Sequence, residues 1–177
     1  MRRFLDRLYA ASGALAAFCV AGICVLMLAQ AFGREAGFLV RGADDIVAWL
    51  CAASAFFALG HTFRHGELVR VGLLVNRLGG RSRRIAELFA LGITAAFVAY
   101  MLWAVGRFVY ESWKFNEVAQ GLIRVPIWIP QLSLVIGIAI FFVAVIDELV
   151  TVLRKEKPSY QRAEEARAAA GDFSEKL

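Results

Sequence analysis

The side chains with the clearest potential for chemistry are those of His61 and His65, which are followed closely by Glu67. Residues four apart share one face of a helix, and two histidines with that spacing can hold a metal ion. They would approach a haem from the same side, so they cannot be its two axial ligands, and the sequence has no third histidine for another helix to supply. We therefore interpret both histidines as residues at a helix end. We expect no catalytic residue, metal or cofactor in this chain.

The three cysteines offer no alternative chemistry. Cys19, Cys24 and Cys51 all lie inside hydrophobic runs, and none belongs to a Cys-x-x-Cys pair. Cysteine in such surroundings behaves as a small apolar residue. Since the sequence also lacks a nucleophile–base pair, a phosphate-binding loop and a zinc-protease motif, we expect the chain not to be an enzyme.

The elements that carry these residues are long apolar runs separated by short charged connectors. Apolar residues make up 60% of the chain and charged residues 20%, and the charges are confined to a few stretches. This pattern is typical of a polytopic membrane protein. It predicts an all-α integral membrane fold, with a membrane domain over residues 1–155 and a polar, mobile cytoplasmic tail over residues 156–177. The four predicted transmembrane helices cover about residues 8–33, 46–63, 85–106 and 126–152.

The first apolar run also has features of a secretory signal, because Met1-Arg2-Arg3 precedes it and Ala29-Gln30-Ala31 lies near its end. The apolar part of a signal peptide has about 7–15 residues, whereas this run is uncharged for 26 residues, from Leu8 to Gly33. As a helix it would be about 39 Å long, enough to cross a hydrocarbon core of about 30 Å. We therefore expect an uncleaved anchor.

A basic segment, residues 64–81, separates the second and third spans. Its charged residues lie mainly on one side of a helical wheel, and its leucines and valines lie on another. This pattern predicts an amphipathic helix in the membrane interface, which Gly79 and Gly80 would end before Ser82 caps the third span. An alternative interpretation gives these charges no specific site and only a role in topology. The candidate cytoplasmic interface or lipid contacts are Arg64, Glu67, Arg70, Arg77, Arg81 and Arg84.

The distribution of lysine and arginine predicts the orientation. The N-terminal flank, the second connector and the tail together carry 15 basic residues, whereas the first and third connectors carry 5. Because basic residues are retained on the cytoplasmic side, both termini and the segment 64–81 are expected in the cytoplasm.

The middle of each predicted span contains no Asp, Glu, Lys or Arg. Ion-coupled carriers generally place ionisable residues or broken helices near the bilayer midplane. The chain alone is therefore a poor candidate for a carrier, and a structural or accessory membrane subunit is favoured. A membrane-anchor subunit of a redox or other enzyme complex is an alternative, and a self-associating channel is another, although the spans have only scattered hydroxyl side chains.

Four stretches together resemble the small membrane subunit, the DctQ-like protein, of tripartite ATP-independent periplasmic (TRAP) transporters. They are Gln30–Arg34 at the end of the first span, Gly42–Ile46 at the start of the second, Arg64–Leu74 after it, and Ile123–Pro130 at the start of the fourth. Their order and spacing match the family over most of residues 1–155. Leu68 and Gly72 depart from the family, which commonly has His and Asp at those positions.

The resemblance implies a subunit of a sodium-driven importer of organic acids, such as C4-dicarboxylates or sugar acids, in the bacterial inner membrane. A periplasmic binding protein would capture the substrate, and a large membrane subunit would hold the substrate and sodium sites. The small subunit would be a scaffold that helps to dock the binding protein. Charges in the two outer connectors would be candidate contacts, or else ordinary solvated loop charges. The candidate interface residues are Arg34, Asp44, Asp45, Arg107, Glu111 and Lys114.

Overall fold

The computed structural model describes residues 2–38, 41–65 and 80–154. Glu67, Arg70 and Arg77 lie outside the described residues, as do most of the predicted interfacial helix and the predicted tail. The described residues form four long helices and a short loop pairing between Val118 and Pro126. The helices are α1 (Arg2–Glu35), α2 (Ala43–His65), α3 (Gly80–Lys114) and α4 (Trp128–Leu153).

Each helix contains a stretch that is long and apolar enough to cross a membrane. These stretches are Leu5–Glu35, Ala43–Arg64, Ile85–Lys114 and Trp128–Leu153. At 1.5 Å per residue even α2, the shortest helix, is about 35 Å long, which exceeds a hydrocarbon core of about 30 Å. The prediction of an all-helical fold is confirmed for the described residues, and their four helices are able to span a membrane.

Helix α3 is longer at both ends than the span expected from hydropathy. It begins at Gly80, so Ser82 is not the residue that caps it, and Arg81 and Arg84 fall within its first turns. At its other end it continues for two turns past Gly106. Those turns contain no proline or glycine, and they bury Val109 and Ser112, so packing supports the helix where charged residues return to the sequence.

The helices are arranged in an open row in the order α1, α2, α4, α3. Helix α1 packs along α2, α2 along α4, and α4 along α3, while α1 touches α4 only slightly. Because each helix has few neighbours, only 11–22% of the residues in each span are buried within the chain. The wide apolar faces that remain are suited to lipid or to another membrane subunit.

The close packing of α2 against α4 positions the middle of the row. A Cβ on Gly137 would lie 2.7 Å from the backbone carbonyl carbon of Phe56, so only glycine fits at this crossing. Toward the end of the row where α1 begins and α4 ends, the rings of Phe63 and Phe141 meet edge to face, with centroids 5.4 Å apart. A cluster of buried residues from all four helices surrounds this pair; its members include Tyr9, Phe63, Leu91, Ala95, Ala144, Val145 and Val152.

Candidate functional site

Polar contacts between helices concentrate at the two ends of the row. We call the end that contains Asp6, Arg64 and Asp147 the terminal end, because α1 begins and α4 ends there. We call the opposite end the loop end, because it contains the connectors 36–42 and 115–127. The apolar middle of the row separates these two sets of polar residues.

Arg64 joins three helices at the terminal end. Its Nη1 donates to Oδ2 of Asp147 at 2.8 Å, and its Nη2 donates to Oδ1 of Asp6 at 2.6 Å. The guanidinium also lies 5.1 Å from the centre of the Tyr9 ring. The Arg64 side chain is only 23% exposed, so these charge-assisted bonds are partly shielded from water. The residue that was a candidate lipid contact therefore has its partners inside the chain.

His61 faces helix α1 and not an open site. Its Nδ1 lies 3.3 Å from the backbone oxygen of Tyr9, and the ring occupies the space where a side chain on Gly13 would be. The Ser12 hydroxyl donates to the backbone oxygen of Phe57 at 2.9 Å in the same contact. Among the described residues, no group of three histidine, cysteine or acidic side chains is placed to hold a metal ion.

Asp45, in the first turn of α2, joins that helix to the connector 115–127 at the loop end. Its Oδ2 accepts hydrogen bonds from the backbone N–H groups of Leu122, at 2.8 Å, and Ile123, at 3.4 Å. The carboxylate fills the space beside Gly121, where any Cβ would collide with it. A carboxylate at the start of α2 therefore holds a segment about 78 residues further along the chain.

Gly42 completes this contact. It has a φ of +79°, in the left-handed region, and the side chain of Ile123 occupies the position that a Cβ would take. Both the backbone conformation and the close approach require glycine here. We call the contact of Gly42 and Asp45 with residues 121–123 the seam.

Residues 115–127 form a compact hairpin. The N–H of Ala119 donates to the oxygen of Val125 at 2.9 Å, and the N–H of Ile127 donates to the oxygen of Glu117 at 3.0 Å. The buried hydroxyl of Ser112 donates to Oε2 of Glu117 at 2.8 Å and ties the hairpin to the last turn of α3. The hairpin is therefore fixed both to α3 and, through the seam, to α2.

The six candidate interface residues all lie at or near the loop end, but they have different surroundings. Four of them have polar partners within the chain: Asp45 at the seam, Asp44 through a 3.0 Å bond from Gln30 Nε2, and Arg107 and Glu111 with each other at 2.9 Å. Arg34 and Lys114 are exposed, and neither pairs with a carboxylate among the described residues. Whether any of the six contacts a partner stays a prediction.

Sequence reasoning missed two pairs of residues. Asp6 and Asp147 are the partners of Arg64, and no local pattern links positions so far apart. Arg41 and Arg124 lie next to the seam and are both exposed. One signal was present for the second pair: each arginine stands within two residues of a glycine or proline that marks a turn.

Comparison with known families identifies the chain. The family model for the DctQ component of tripartite ATP-independent periplasmic transporters matches residues 23–155, about three quarters of the sequence. The match includes the whole seam and the Arg64–Asp147 pair, while Asp6 precedes it. No individual curated protein matches the chain. The extent of the family match shows that this chain belongs to the DctQ component family of TRAP transporters.

Proposed function

We propose that the chain is the non-catalytic small membrane subunit of a sodium-coupled, binding-protein-dependent importer of organic acids. In this proposal it supports the large transport subunit, which holds the substrate and sodium ions, and helps to dock the periplasmic binding protein. The family match is the observation that carries the proposal. The transported acids would be of the C4-dicarboxylate or sugar-acid class.

The distribution of polar groups supports a scaffold role. The sequence has no acidic or basic residue between 46 and 63 or between 125 and 146, so the two central helices of the row offer no charged midplane site for a transported ion. Their polar contacts are placed at the ends, through Arg64 and Asp45. Such contacts hold the helices in a fixed arrangement and leave the apolar faces available.

Helix α3 has the apolar face best suited to a large partner. It forms an edge of the row and exposes Phe89, Phe97 and Trp103 by 60–70% of their surface. Aromatic side chains supply large contact areas between packed helices. We propose that one exposed side of the row packs against the large subunit and the other faces lipid.

The proposed orientation places the terminal end in the cytoplasm and the loop end in the periplasm. It rests on the excess of basic residues in the segments attached to the terminal end, 15 against 5. In this orientation the chain lies in the inner membrane of the cell. Its hairpin and its seam face the periplasm, which is the compartment of the binding protein.

Purification of the tagged chain from its native membrane in a mild detergent tests the proposal. A larger polytopic membrane protein should co-purify, and reconstitution of both should give organic-acid uptake that needs a sodium gradient and a binding protein. A monodisperse chain without a polytopic partner would contradict the scaffold role. Uptake that does not depend on the chain would contradict its place in the importer.

A further inference from the structure

We propose that Arg41 and Arg124 form a cationic docking pair for an acidic face of the binding protein, and that Asp45 positions this pair without touching the partner. The inference rests on the proposed function, because it takes the binding protein as the partner. It begins from the seam, which brings together two connectors that are far apart in the sequence.

The seam brings the backbone at Arg41 near the backbone at Arg124. Gly42 contacts Ile123, and Arg41 and Arg124 are the immediate chain neighbours of these two residues. Consecutive Cα atoms are 3.8 Å apart, so each arginine begins one short step from the same contact. Both arginines are exposed, and within the described ranges neither forms an ion pair with a carboxylate. Two exposed arginines therefore flank the same interhelical contact.

The hydrogen-bonding groups left over at the loop end are mainly donors. At the loop end, residues 33–45 and 107–124 contain five carboxylates, and four of these have a partner within the chain; they are Asp44, Asp45, Glu111 and Glu117. Four of the five cations there form no ion pair with a carboxylate among the described residues; they are Arg34, Arg41, Lys114 and Arg124. A surface with unused guanidinium donors fits a partner that supplies carboxylate acceptors.

A protein partner fits these arginines better than a lipid surface. Arg41 precedes the start of α2 at Ala43, and Arg124 precedes the start of α4 at Trp128, so both lie in loops and not along a span. The loop end carries the smaller number of basic residues, 5 against 15, so it is expected to face the periplasm, where the binding protein is found.

Asp45 is assigned to positioning because its carboxylate is already engaged. Oδ2 accepts hydrogen bonds from backbone N–H groups of the hairpin, and Gly121 lies directly against the carboxyl group. Without this acceptor the hairpin that carries Arg124 loses its hydrogen bonds to the start of α2, and only the contact of Gly42 with Ile123 is left at the seam. The separation of the two arginines would then vary, and their combined attraction for an acidic face would weaken.

Charge reversal in the reconstituted transporter tests the docking pair. R41E and R124E are each expected to raise the KM for the liganded binding protein about tenfold, to leave kcat nearly unchanged, and to flatten the salt dependence of uptake. R154E makes the same charge change at the terminal end and should not alter the KM. An unchanged KM in both variants, or an effect that vanishes in vesicles of neutral lipid, would overturn the proposal.

Replacement of Asp45 tests its positioning role. Asn keeps an oxygen acceptor without the charge, whereas Leu removes both, so D45N should preserve the wild-type KM and D45L should raise it. A spin label at Leu122, which is 77% exposed, reports hairpin motion in the purified chain: it should stay immobile in D45N and become mobile in D45L. If D45N and D45L raise the KM equally while the label stays immobile, the Asp45 charge itself contacts the partner and the assignment is wrong.

Gly121→Ala supplies a second variant, because its Cβ displaces the Asp45 carboxylate without removing it. It should mobilise the label and raise the KM as D45L does. The label measurement needs no transport, so it separates failure of this inference from failure of the proposed function. An immobile label in both G121A and D45L would overturn the positioning role even if no uptake is seen.

Discussion

The Oδ2 atom of Asp147 lies 2.8 Å from Nη1 of Arg64, which joins the last third of α4 to the end of α2. The same guanidinium reaches Asp6 on α1 through its other terminal nitrogen. One side chain therefore closes the terminal end of three helices. Because a planar guanidinium can donate in two directions at once, this role is specific to arginine.

Removal of Arg64 should destabilise the row. R64A removes the guanidinium that both Asp6 and Asp147 contact, and we expect a loss of about 2 kcal/mol in the free energy of unfolding. R64K should recover only part of this lost stability, since one ammonium group cannot reproduce the two-directional hydrogen bonding of a guanidinium group. Tryptophan fluorescence during thermal unfolding in detergent measures both. R154A, at an exposed position of the same end, is the control, and an R64A unfolding temperature equal to that of R154A would refute the prediction.

Gly137 should be intolerant of a side chain. In G137A the new Cβ would meet the backbone of Phe56, so α2 and α4 must separate, at a cost of about 1–3 kcal/mol. The matched control is G92A in α3, where the Cβ has no neighbour within 4 Å and a better helix former should be neutral or slightly stabilising. Thermal unfolding of the two variants provides the comparison. Equal unfolding temperatures would show that the α2–α4 crossing is looser than described.

Alanine substitutions at two glycines with positive φ distinguish the energetic cost of backbone strain from the cost of a steric collision. Gly37 has a φ of +77° with nothing within 4 Å of its Cβ position, so G37A should cost only the left-handed strain of roughly 1–2 kcal/mol. Gly42 has nearly the same φ but also abuts Ile123, so G42A should cost more. In the double variant G42A/I123A the collision is relieved. The additional loss of stability should therefore disappear, and only the cost of the left-handed backbone strain should remain. Chemical unfolding curves measure all three, and a G42A no worse than G37A would disprove the close contact.

The orientation of the row can be measured directly. In a background without Cys19, Cys24 and Cys51, a cysteine at Leu122 should react with a membrane-impermeant maleimide added to spheroplasts, because the loop end is expected to face outward. A cysteine at Arg154 should react only after the membrane is permeabilised. The reverse pattern would invert the proposed topology and remove the binding protein as a partner for Arg41 and Arg124.

The four spans could be predicted from the sequence because hydropathy is a local property. The absence of charge from residues 46–63 and 125–146 marks α2 and α4 without any knowledge of their neighbours. Helix α3 extends two turns beyond the span that was predicted to end at Gly106; charged residues return in these turns, which bury Val109 and Ser112. Hydropathy cannot show which face of a polar turn is packed.

The partners of the charged residues could not be predicted, because they are distant in sequence. Arg64 and Asp147 are 83 residues apart, and Asp45 and Ile123 are 78 apart. An acid in a connector has the same local pattern whether it contacts another protein or caps a loop of its own chain. Asp45 was therefore a candidate interface residue by sequence, and the fold gives it an internal partner.

The order of the helices in the row has a consequence for how the protein is made. Helix α4 lies between α2 and α3, although α3 leaves the ribosome before it. In the finished row the α1–α2 pair and the 35-residue α3 are joined through α4. The last helix to be synthesised therefore completes the buried cluster and brings Asp147 to Arg64. A chain stopped after Lys114 would therefore have two inserted pieces and no common core.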